Sequence, residues 1–194
     1  MNNKWYASGF IIVINIILFL LCTFDGGMLY NIGGISPYSF FEEKEYYRLV
    51  SSMFLHGDIQ HLVNNMLLLF GLGLMIEKEI GHLAFAAAYM VSGIGGNIIS
   101  LFFKIHIGEW YVESIGASGA VFGLIGVLLM LALFLRGRLP NVTPIRILIV
   151  IAYSIYSNWG NGRIDNAAHF GGVIVGATAG AAICLIKHYI TYKL

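Results

Sequence analysis

Apolar residues gather into six long runs separated by short polar breaks. Windows of about 19 residues, enough for a helix to cross a bilayer, place the runs at 5–24, 59–76, 82–103, 114–135, 143–159 and 166–186. The fifth is the shortest and contains Arg146, so its ends are the least defined. The pattern predicts an all-α membrane protein of six spans, a single unit over residues 1–194 with nothing left over for a soluble domain.

Two segments need separate treatment. Lys4 precedes the first run as in a secretory signal, but the run is too long for a signal core and no small-residue cleavage pattern follows Cys22. It is read as a retained helix. The connection over 25–58 is rich in aromatic and charged residues and too apolar for a solvated linker. It is expected to lie in the membrane interface, partly helical.

Composition strengthens the membrane reading. Hydrophobic residues make up 58% and charged residues 11% of the chain, its mean hydropathy is +0.80, and a soluble domain carries about 25% charge. The net charge of +1 implies no class of partner, and no basic, aromatic-interleaved stretch suggests nucleic acid. Lipid is the expected surround.

Orientation follows from lysines and arginines in alternate connections. With the N-terminus inside, Lys4, Lys78, Arg136, Arg138, Arg146, Lys187 and Lys193 are cytoplasmic, against Lys44, Arg48, Lys104 and Arg163 outside. Both termini are therefore expected in the cytoplasm, in a multi-pass protein of a prokaryotic cell membrane. Cys22 and Cys184 lack metal or redox spacing and read as packing. There is no HExxH motif, no phosphate-binding loop and no internal repeat. No metal or organic cofactor is expected.

Three polar elements interrupt the runs: His61 with Asn65, Ser118 between glycines, and His169 after two alanines. Each lies near the start of an even-numbered run, so alternate helices bring all of them to one membrane face. Polar groups at bilayer depth are costly and mark function. Ser118 sits about four residues into its run, roughly 6 Å below a helix start at 1.5 Å per residue. Alone, Gly116-Ala117-Ser118-Gly119 fits close helix packing better than catalysis.

The partners change that balance. Gly172, Gly176 and Gly180 follow His169 at helical spacing and define a face for close approach, whose natural partner is the glycine-rich face around Ser118. A lone histidine there could equally be a proton relay or a satisfied core group. His61 and Asn65, four apart, share one helix face and could form either an oxyanion hole or an interhelical polar clamp. Asn64 points elsewhere and is expected to pack.

Taken together, Gly116-Ala117-Ser118-Gly119, Ala168-His169-Phe170-Gly171-Gly172 with Gly176, and His61-Leu62-Val63-Asn64-Asn65 resemble the rhomboid intramembrane serine proteases, with Arg48, His56 and Glu77 in agreement. The resemblance covers the chain nearly end to end. It implies a rhomboid-like bundle with Ser118 as nucleophile, His169 as general base, and His61 and Asn65 in the oxyanion hole. Phe122 would stack on the histidine, Gly116 would support the motif, and Arg48, His56 and Glu77 would be architectural.

The family pattern gives Asp165 no place as a triad acid, and its position at the run's edge suits a solvated or capping carboxylate. The implied substrates are single-span membrane proteins cut near the outer face. Their bonds become accessible where a helix end unwinds, with entry between the second and fifth spans. A catalytically silent member that binds and escorts membrane helices is the alternative. A proton-coupled transporter is disfavoured because polar groups cluster at one depth.

Overall fold

The computed structural model describes residues 6–134, 142–157 and 164–193. Its spans are α1 (Tyr6–Phe24), α4 (Ile59–Ile80), α5 (His82–Ile107), α6 (Ser118–Phe134), α7 (Pro144–Ser157) and α8 (Asn166–Lys193), with α2 (Met28–Gly33) and α3 (Arg48–Ser51) in the first connection. A π-turn at Tyr38–Glu42 and a 3-10 turn at Ser52–Phe54 complete that connection. All six expected helices are present. The proposed ends of the first, fourth and fifth runs, at Trp5, Leu135 and Trp159, lie outside the described residues.

α1, α4, α5 and α8 are long and apolar enough to cross a membrane; α6 and α7 are shorter apolar helices. Their large outward side chains, including Phe10, Ile17, Leu20, Leu67, Phe102, Leu148 and Ile149, are exposed, as lipid-facing residues are. The protein is an all-α integral membrane bundle.

α6 is apolar all round, and a helix of that kind belongs in a core. Gly119 through Leu128 are all buried, and α4, α5, α7 and α8 pack around it. The tightest contact is with α8: a Cβ on Gly172 would overlap the Gly119 carbonyl oxygen, and one on Gly176 the Gly123 carbonyl oxygen. The two glycine stripes face each other as their spacing predicts, backbone against backbone.

Gly176→Ala is therefore expected to destabilise the bundle by about 1–3 kcal/mol, the range for forced overpacking, lowering the melting temperature in detergent. Gly71→Ala in α4 is the control, because a Cβ there meets nothing within 4 Å and alanine favours helix. Equal melting of the two variants would contradict the packing.

At the other end of the bundle, Glu77 lies inside the last turn of α4, which runs four residues past the expected end at 76. Its carboxylate accepts the N–H groups of Ala7 at 2.7 Å and Ser8 at 3.0 Å and the Ser8 hydroxyl at 2.6 Å. These are donors that a helix start otherwise leaves unpaired, and α4 thus caps α1.

Arg48 organises the first connection. Its guanidinium donates to Asn31 O at 2.8 Å, Gly34 O at 2.6 Å and Glu45 at 2.6 Å. The connection also docks on the segment between α5 and α6, where Ile35 and Ser114 exchange backbone hydrogen bonds. Arg48 and Lys104 are each 6% exposed, so two of the four cations counted outside are buried structural groups rather than loop charges. Arg163 lies outside the described residues.

Candidate active site

Helix α6 begins at Ser118 itself, which corrects the expectation that the serine sits four residues inside a helix. The reason is Gly116, whose φ of +129° suits glycine and ends the extended stretch before the helix.

Gly116 has a second role. A Cβ there would stand 2.6 Å from Cε1 and 2.8 Å from Nε2 of His61, so only glycine lets that ring close on the segment leading to Ser118. The Gly116 N–H donates to Ser52 O at 2.8 Å, and Ser52 also receives the Asn97 amide at 3.0 Å. Ser118 remains half-buried.

His169 is 6% exposed in the first turns of α8. Phe122, one helical turn beyond Ser118, stacks on it with ring centroids 4.2 Å apart and planes within 7°. The α6–α8 contact at Gly119 and Ala168 and this stack set the imidazole against α6, one helical turn from Ser118. His169 Nδ1 has no hydrogen-bond partner. Asp165 does not orient the ring.

Asp165 instead accepts the Ala168 N–H at 2.8 Å, as a capping carboxylate does. It is only partly exposed, with the Ser100 and Ser114 hydroxyls and Lys104 around its other oxygen. Burial opposes its ionisation, but Lys104 and these hydrogen bonds outweigh burial and hold the carboxyl below its ordinary range.

Asn65 is 5% exposed and its Nδ2 has no hydrogen-bond partner. An unpaired buried donor costs about 1–3 kcal/mol and calls for an explanation. His61 shares its helix face, with the His61 main-chain N–H capped by Asp58 at 2.8 Å. Asn64 does not pack: it is exposed and accepts from Gln60 at 2.8 Å.

His56 belongs to this cluster, although the sequence suggested only an architectural place. It is fully buried, its ring lies 4.9 Å from that of His61, and its Nε2 accepts the Ala117 N–H at 3.4 Å. The signal available was a pair of histidines five apart around the Asp58 cap. Burial first, then the neighbouring His61, lowers the His56 pKa to about 3.

The sign of the resulting pH effect is definite. Between about pH 6.5 and 3 the unfolded chain binds a proton at His56 that the folded chain does not, so stability falls as pH falls through that window. The melting temperature is expected to drop from pH 7.5 to pH 5, and His56→Gln to narrow the drop. An unchanged pH response in that variant would contradict the burial argument.

Helix starts of α4, α6 and α8 thus hold a serine, two histidines and an asparagine, with His56 just before α4, at one end of a membrane bundle. Such a fold and cluster define a polytopic membrane protein with a polar centre set among its helices. The chain belongs to the rhomboid family, whose Rhomboid domain matches residues 43–186. It is 32% identical over 190 residues to Rhomboid protease GluP of Bacillus subtilis, covering 96% of this chain and 36% of that protein. RHOMBOID-like protein 4 of Arabidopsis thaliana is 34% identical over 165 residues, 83% of this chain and 40% of that one. Rhomboid protease AarA of Providencia stuartii is 29% identical over 164 residues, 74% and 58% respectively. The chain therefore spans between 36% and 58% of the length of these relatives.

Proposed function

We propose that this protein is an intramembrane serine endopeptidase in which Ser118 and His169 act as a dyad. His169 takes the Ser118 proton as the hydroxyl oxygen attacks a peptide carbonyl, and returns it to the leaving amine as the C–N bond breaks. Water, deprotonated by the same imidazole, then attacks the acyl-enzyme and releases Ser118. His61, Asn65 and the Ser118 N–H receive the oxyanion. The observation that carries the reading is the Phe122–His169 stack, with Phe122 one helical turn along α6 from Ser118.

The unpaired Asn65 amide supports the oxyanion role over a polar clamp, since a clamp residue would already have its partner. Asn65→Ala is expected to lower turnover by up to ~10²-fold with nearly unchanged melting temperature. A lowered melting point with normal turnover would assign the residue to structure instead.

Single-span membrane proteins are the proposed substrates, cut near the outer face in a cell membrane of a prokaryote, with both termini of the enzyme in the cytoplasm. A cavity of about 230 Å³ between α4, α6 and α7, lined by Leu68, Leu72, Leu128, Arg146 and Ile147, supports entry between the second and fifth spans. The reading is tested with a fluorophosphonate probe, which forms a covalent adduct with an activated serine. Labelling at Ser118, much reduced in His169→Ala, is expected. An inert Ser118 in folded protein would favour the silent, helix-binding alternative.

A further inference from the structure

A buried charged cluster lies beside the proposed site and takes no part in the proposed chemistry. Lys104, in the last turn of α5, donates to Val112 O at 2.9 Å and to the Ser114 hydroxyl, and its Nζ stands 3.7 Å from Asp165. The Ser114 hydroxyl donates in turn to Asp165, as does that of Ser100. Asp165 fastens the first turn of α8 twice: its carboxylate accepts the Ala168 N–H at 2.8 Å, and its backbone carbonyl accepts the His169 N–H at 3.2 Å.

The two ends of this cluster have the same offset from the proposed reacting residues. Ser114 lies four residues before Ser118, on the extended stretch that enters α6, and Asp165 four before His169. One ion pair therefore holds both the segment that delivers the serine and the turn that delivers the histidine. The Asp165 carboxylate oxygens are taken by these donors, and His169 Nδ1 donates no hydrogen bond to them.

We infer that Lys104 and Asp165 are positioning residues that hold the Ser118 segment and the His169 turn in register with each other. The inference rests on the Ser118–His169 reading for its functional consequence. Misplacement of reacting groups by about 1 Å can cost ~10²-fold in rate. Lys104→Met and Asp165→Asn are each expected to lower kcat by about 10- to 100-fold with KM within about twofold, assayed below their melting temperatures. The double variant should lose no more than the worse single, because the two side chains act as one device.

Hydrogen exchange gives a second readout that needs no activity. Lys104→Met is expected to speed exchange in 164–170, and Asp165→Asn to speed it in 112–118, each at the segment carrying the other residue's catalytic neighbour. Should a charged-partner variant fail to fold, Ser114→Ala removes the bridging hydroxyl without stranding a charge and is expected to give the same exchange pattern more weakly. Wild-type kcat in both folded single variants, or exchange changes confined to each variant's own segment, would overturn the inference. An inactive wild type would count against the proposed function alone, and the exchange pattern would still decide whether the two segments are coupled.

Discussion

Ser118→Ala is expected to abolish cleavage while leaving a folded protein. The proposed nucleophile sits at the first position of α6 and is half-buried, so alanine removes one oxygen without opening a large cavity. In a serine hydrolase the loss of the nucleophile removes about 10⁶ in kcat, with residual rate from oxyanion stabilisation and binding alone. Product formation should therefore fall by at least ~10⁴-fold while the melting temperature stays nearly unchanged. Gel and mass-spectrometric analysis of a reconstituted substrate measures the first quantity, and thermal unfolding the second. Retained cleavage by the folded variant would remove Ser118 from the mechanism.

The second large effect concerns His169. A base and nucleophile that act as one unit lose almost everything when either is removed, so their losses do not multiply. His169→Ala alone is expected to cost about as much activity as the Ser118→Ala, His169→Ala double variant. The stack on Phe122 adds a structural consequence: truncating the ring takes away a 4.2 Å aromatic contact, worth about 0.5–1.5 kcal/mol beyond buried area. His169→Ala should melt lower than Ser118→Ala. Two independent, multiplying activity losses would show that the residues do not form a dyad.

Much of this architecture is legible in the chain because hydropathy in lipid is a strong signal. Six apolar runs become six helices, and the opposed glycine stripes of α6 and α8 meet as their spacing requires. The four polar residues near even-numbered helix starts likewise come together at one end. Local backbone geometry is less legible. Gly116 with its positive φ delays the start of α6, which hydropathy places four residues earlier because Ser114, Ile115 and Ala117 read as continuous with the helix.

Charge is where sequence counting fails most clearly. Lys104 and Arg48 look like loop cations, and a residue count cannot distinguish a solvated lysine from one paired with Asp165 and two hydrogen-bond acceptors under a loop. Glu77 poses the same problem at the opposite end: its donors come from α1, about 70 residues away, and no local pattern announces the pairing. His56 is similar, since its contact with the Ala117 N–H joins the first connection to the start of α6. Long-range polar pairing is a property of the assembled bundle.

Cleavage of a defined single-span protein by the purified wild-type chain in liposomes tests the central claim most directly, with the product termini sequenced by mass spectrometry and Ser118→Ala run beside it. The expected result is one new pair of termini near the outer end of the substrate helix, formed by the wild type and absent from the variant. A folded wild-type protein that binds the substrate helix yet leaves it intact, or equal cleavage by both preparations, would contradict the account.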